Sequence, residues 1–190
     1  MTWIWMVSVA LGSDIVLEQQ VARPLVGHPV FDLRIGVDGV AQGDQGVHPY
    51  VCGEVSPLQR FSVEACGNGS GILHQSDAPD MAHFRVRATV ASRRSGRTEG
   101  IVSVGVGFAE VQRSADAPGF RFGAAASTEQ VEAAGPEAVV GVKGRYWLNA
   151  SSYVTADAVV GTAHIAAAPA VMDWSSEVVP FAALTVGVGL

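Results

Sequence analysis

The stretch VPFAALTVGVGL (Val179–Leu190) alternates along its length. Ala182, Leu184, Val186, Val188 and Leu190 fall on one side, and Ala183, Thr185, Gly187 and Gly189 on the other. A period of two is that of an extended strand, whose successive side chains point to opposite faces. An apolar closing strand asks for an apolar surface to face. The same period recurs upstream. FDLRIGVD sets Phe31, Leu33, Ile35 and Val37 against Asp32, Arg34, Gly36 and Asp38. HFRVRATV sets Phe84, Val86, Ala88 and Val90 against Arg85, Arg87 and Thr89. VVGVKGRYWL sets Val140, Val142, Tyr146 and Leu148 against Gly141, Lys143, Arg145 and Trp147, and YVTADAVV sets Val154, Ala156, Ala158 and Val160 against Tyr153, Thr155 and Asp157.

The composition narrows the setting. The chain has 190 residues, of which 48% are hydrophobic and only 16% charged, below the quarter or so usual for a soluble domain. Mean hydropathy is positive, yet no apolar run reaches the roughly 18 residues of a membrane helix. A net charge of -6 argues against nucleic acid as a partner. At the start, Trp3 to Leu11 reads as the apolar core of a secretory signal, with Ala10 and Gly12 as small residues before a cut after Gly12. No Lys or Arg precedes that core. The expected organisation is a signal over 1–12, a lead-in over 13–28 and one β-domain over 29–190.

Turn signals supply the strand count. Ser56–Arg60 (SPLQR), Ser95-Gly96 within SRRSGRTEG, and Asn149–Ser152 (NASS) are tight. GDQG, HQSDAPDM, the stretch from Ser114 to Glu137 and PAVMDWSSE are longer links. Short and long connections alternate between about eight strands, placed near 29–42, 47–56, 60–73, 81–94, 99–113, 137–149, 153–166 and 177–190. Most are long enough to cross a bilayer at a tilt. In this pattern the chain resembles the small eight-stranded bacterial outer-membrane barrels of OmpA/OmpX-like architecture, over roughly residues 29–190. The resemblance implies an all-β, antiparallel, up-and-down transmembrane barrel in the bacterial outer membrane. It places the three tight turns and both termini on the periplasmic side and the four longer links outside the cell. It also implies outer-membrane lipids and the barrel assembly machinery as partners. Members of that group usually end in an aromatic residue, and this chain ends in Leu190. Phe31, Phe61, Tyr146 and Tyr153 fall near the periplasmic rim, where membrane barrels concentrate aromatics.

In such a barrel the polar face points inward. The inward positions are Asp32, Arg34, Asp38, Glu54, Glu64, Arg85, Arg87, Lys143, Arg145 and Asp157, with acids and bases equal in number. An eight-stranded barrel is just wide enough for side chains to fill, and charges inside it are costly unless paired. A balanced set suits a filled, ion-paired interior. Period two alone does not say which face is wet, so a soluble secreted barrel or sandwich, apolar inside, fits the alternation too.

Other candidate chemistry is sparse. Cys52 and Cys66 lie on the strands joined by SPLQR and share the inward face with Glu54 and Glu64; they are either a cross-strand disulfide or two small buried residues. HQSDAPDMAH holds His74, Asp77, Asp80 and His83, whose atoms suit a metal but whose polarity also suits a loop. His74 and Ser76 form a His-x-Ser pair that resembles the lipid A deacylases, although there the pair sits on the barrel wall and here in a link. SVGVGF lacks the strand–turn–helix setting of a nucleotide loop. Asn68 and Asn149 match the glycosylation pattern, a chance match in a bacterial chain. The expectation is a non-enzymatic barrel without cofactor or metal, structural or adhesive through its outer loops, with an external ligand the sequence does not name. A narrow pore and a lipid-modifying barrel enzyme are the rivals.

Overall fold

Each strand of the barrel hydrogen-bonds to the strand before and after it in sequence, and the last closes on the first. The protein is described by a computed structural model over residues 30–40, 48–67, 80–113, 132–172 and 174–190. The elements are β1 (Val30–Val40), β2 (His48–Leu58), β3 (Phe61–Gly67), β4 (Asp80–Ser95), β5 (Thr98–Gln112), β6 (Glu132–Trp147), β7 (Tyr153–His164), a short helix α1 (Ala168–Val171) and β8 (Val178–Gly189). All pairs are antiparallel, and β1 meets β8 with Asp32 opposite Gly189 and Ile35 opposite Val186. This is a closed eight-stranded up-and-down barrel. Closure leaves no exposed sheet edge. No helix among the described residues is long and apolar enough to cross a membrane, a statement that does not bear on strands. The signal and lead-in lie outside the described residues.

The three tight turns gather at one end, here the turn end, where Phe31 and Leu190 also exchange backbone hydrogen bonds of 3.1 and 2.9 Å. Each turn has its own cause. Gly96 takes φ +58°, the left-handed region that an L side chain resists. The Asn149 side-chain oxygen accepts backbone N–H bonds from Ser151 and Ser152, both 2.9 Å, an Asx turn. The β2–β3 register shifts between Val55 and Leu58, and Pro57, which has no N–H to donate, occupies the irregularity. A second shift, between Thr89 and Ala91, reverses the phase of β4. Beyond it Arg93, not Arg94, pairs with the outward Gly100.

Three expectations are corrected at the other, loop end. The stretch from Ser114 to Glu137 is not wholly a link, because β6 begins at Glu132. Gly135 and Pro136 read as breakers in sequence. But the β6–β7 ladder begins only at Glu137, so Pro136, which has no N–H to donate, lies just outside it, while β5 still holds it opposite Phe108. Asp80 and His83, placed in a link, belong to β4. The link holding PAVMDWSSE contains α1, which packs on β5 and β6 rather than only on its own neighbours β7 and β8. Ile165, Ala168, Val171 and Met172 there bury against Met81, Val111, Val179 and Phe181, so the segment lies across the loop end of the barrel as an apolar cap.

Candidate functional site: the charged lumen

The alternation resolves into an inside-out pattern. Ile35 is 62%, Val106 67% and Leu184 56% exposed on the outer wall, whereas Arg34, Glu64 and Asp157 are each 1% exposed inside. Leu33, Val63, Val104, Val142 and Val186 extend the apolar outer belt. Phe31, Phe61 and Tyr146 stand on the outer wall toward the turn end. Tyr153 lies at the same end and points inward, on the polar face the alternation assigns it, where its hydroxyl donates to Asp32.

Inside, the charges form a continuous network. At its centre Arg34 donates to Asp157, to Glu64 and, at 2.7 Å, to Glu54. Arg87 donates to Asp157 at 2.5 Å, to Glu64 at 3.0 Å and to the Ser103 hydroxyl at 2.8 Å. Glu64 thus receives Arg34, Arg87 and, at 2.5 Å, the Nε of Arg85. Toward the turn end Lys143 bridges Glu54 at 2.5 Å and Asp32 at 3.2 Å, and Arg145 reaches Asp32 at 3.5 Å and Glu99 at 3.7 Å while lying over the Tyr153 ring. Toward the loop end Arg85 lies near Glu137, at 3.9 Å, and over Phe181, and His83 bonds to Glu137 at 2.6 Å. Each cation inside has an acid, and most acids hold more than one cation.

Glycines make room for this packing. A Cβ on Gly187 would run into the Leu33 carbonyl and lie 2.7 Å from the Cα and Cγ of Arg34. One on Gly141 would meet the Arg87 guanidinium. The long cations therefore lie flat against bare stretches of opposing strand.

Nine of the ten inward residues read from the sequence join these pairs. Asp38 is buried on the same face, but none of the ion pairs among the described residues includes it. His83 and Glu137, at the boundaries between links and expected strands, were not among the inward residues read from the sequence, nor was buried Tyr50, near a predicted strand end, which receives a 3.3 Å bond from Arg85. Cys52 and Cys66 are direct cross-strand partners and are disulfide-bonded. That bond removes both thiols from any metal site. The cluster of Glu54, Glu64 and Asp157 is already filled by Arg34 and Arg87. His74, Ser76 and Asp77 lie outside the described residues.

Among solved structures the barrel is similar to Neisserial surface protein A, with TM-score 0.53, 9% identity, and coverage of 85% of this chain and 94% of that one. The fold is that of the small OmpA/OmpX-like barrels. The N-terminal β-barrel domain of Pseudomonas aeruginosa OprF aligns over 86% of this chain and all of its own (TM-score 0.44, 9% identity). Ail, the attachment invasion locus protein of Yersinia pestis, aligns over 85% and 97% (TM-score 0.41, 11% identity). No family model matches the chain, and no curated protein matches it in sequence. At such identities the likeness concerns the fold alone.

Proposed function

We propose that this protein is an exported, non-enzymatic β-barrel of the bacterial outer membrane, with a filled interior and a structural or adhesive role carried by its loop end. The observation that supports the reading is the inside-out burial: ion-paired arginines and carboxylates inside, and a continuous belt of Val, Leu and Ile outside. A soluble barrel would expose that belt to water, a far larger apolar patch than monomers carry. In hydrocarbon the belt is at home, and closure satisfies every strand's backbone. The disulfide fits an oxidising compartment. A surface role accords with the Neisserial surface protein whose fold it shares. On this reading the turn end faces the periplasm, the lipids of the outer membrane surround the belt, and the assembly machinery inserts it.

The test is fractionation of cells producing the chain. The mature protein is expected in the outer membrane, resistant to extraction without detergent, and faster on unheated than on heated gels. Recovery in buffer without detergent would instead establish the soluble secreted module. Loss of adhesion to host cells or surfaces on replacing loop residues, with the barrel intact, would assign the adhesive role.

A further inference from the structure

The outer wall is not uniform. A groove of about 620 Å³ crosses it near the turn end. Its floor is Gly144 and Ala156, neighbours in the β6–β7 register. Tyr146, Val154 and Val188 form one side, and Val186 and Ile35 close the far end. The same register row continues the other way through Gly100 on β5 to Arg93 on β4. A Cβ at Gly100 or Gly144 would meet nothing within 4 Å. The groove therefore runs laterally over apolar wall, and an exposed arginine heads the row.

Arg93 is not alone there. Arg60, Arg94 and Arg97 are exposed at the same end. Arg94 is tied down, lying 5.0 Å over the Trp147 ring and donating to the Gly96 carbonyl at 3.2 Å. Arg97 sits in the turn beside Thr98, its carbonyl holding the Trp147 N–H. Among the described residues the acids toward this end, Asp32 and Glu99, are taken by Lys143 and Arg145. The other described cations, apart from Arg113, are inside the barrel. The chain carries a net charge of -6, so a rim of unpaired guanidiniums runs against its overall balance. The phase reversal at Thr89/Ala91 is what turns Arg93 outward, toward the groove.

An apolar trough whose floor ends at Gly144, with an exposed arginine two strands further along the same register row and an aromatic rim beside it, has the chemistry of a phospholipid: acyl chain along the wall, phosphate beyond its edge. We propose that the groove and the turn-end arginines form a binding site for one anionic phospholipid of the periplasmic leaflet, its acyl chain over Gly144 and Ala156 and its phosphodiester at Arg93 and Arg97. This rests on the membrane reading above. Anionic headgroups gain from each nearby Lys or Arg at a membrane surface, and the bidentate fork of arginine suits a phosphate.

The test is native mass spectrometry of the delipidated, detergent-folded protein, with phosphatidylglycerol, phosphatidylcholine or inorganic phosphate added in separate arms. Wild type is expected to retain one phosphatidylglycerol in preference to phosphatidylcholine. Arg93→Gln and Arg97→Gln should each weaken that preference about fivefold. Gly144→Leu with Ala156→Leu should lose both lipids by filling the floor, while an unheated gel shows each variant still folded. Phosphate adducts without lipid adducts would show a bare anion site and overturn the acyl-chain part. Equal retention of both lipids, indifferent to the arginine changes, or a dimer mass lost in the groove variant, would overturn the proposal. A chain that folds into detergent or vesicles without lipid preference refutes only this site; a chain that never needs detergent refutes the membrane reading itself.

Discussion

Glu64 carries more of the lumen than any other single carboxylate, because three guanidiniums converge on it. Removing one member of a buried pair leaves its partner uncompensated, at about 3–5 kcal/mol, and here three cations are left facing one another. Glu64→Ala is expected to destabilise the folded barrel by at least that amount in urea unfolding from vesicles. Glu64→Ala with Arg85→Ala should recover part of the loss, since Arg34 and Arg87 keep Asp157. A loss under about 1 kcal/mol, the scale of a solvated pair, would mean the network is not buried as described. The glycines give a paired test. Gly187→Ala must push against the Leu33 backbone and Arg34 and should cost about 1–3 kcal/mol as overpacking. Gly53→Ala, with nothing within 4 Å of the new Cβ, should be silent. Alternation made nearly all the central charges readable from sequence, because period two survives wherever a strand is unbroken. It could not show that Glu64 gathers three partners. That depends on β1, β3 and β4 curving around one lumen, a contact between residues far apart in the chain.

At the scale of the element, β8 presents Leu184, Val186 and Val188 outward between β7 and β1. Val186→Arg near mid-belt should cost about 2–4 kcal/mol in a bilayer. Folding into vesicles equal to wild type would mean that this face does not meet lipid. The β2–β3 hairpin is locked by Cys52–Cys66, which closes a loop of 14 residues in sequence separation. Replacing both cysteines with serine should lower stability by about 3 kcal/mol on the chain-entropy account. Strand identity was legible throughout and most strand ends to within two residues; the start of β6 was not. β6 runs past Gly135 and Pro136 because β5 still pairs it there, beyond the end of the β6–β7 ladder, and a rule written for strands paired on both sides stops too early. The helix α1 left no signal either, since four residues cannot display a helical period. What marks the segment is an apolar cluster in a link, Ile165 with Val171 and Met172, whose purpose appears only when the barrel mouth is there to receive it.

Across the whole molecule the described residues fill the lumen at two heights, by different physics. Near its middle and turn end the seal is electrostatic: Arg34, Arg87 and Lys143 span the bore to Glu54, Glu64, Asp32 and Asp157. At the loop end it is apolar: Ile165, Val171 and Met172 pack with Met81, Val111 and Phe181. Among the described residues the two lie at successive heights along the bore. Loosening the charged layer alone frees room and water at mid-lumen but leaves a dry cap above it, and an apolar constriction blocks ions by refusing water. Opening the cap alone exposes a bore still filled by side chains. Planar-bilayer recordings are therefore expected to show no unitary conductance for wild type, for Glu64→Ala or for Val171→Asp. The combination should conduct, with gel mobility before heating confirming that each variant is folded. Steps from Glu64→Ala alone would mean that the cap does not seal and that the charged layer carries the whole barrier. Steps from Val171→Asp alone would place the barrier in the cap. A folded but silent double variant would require a third obstruction in the bore.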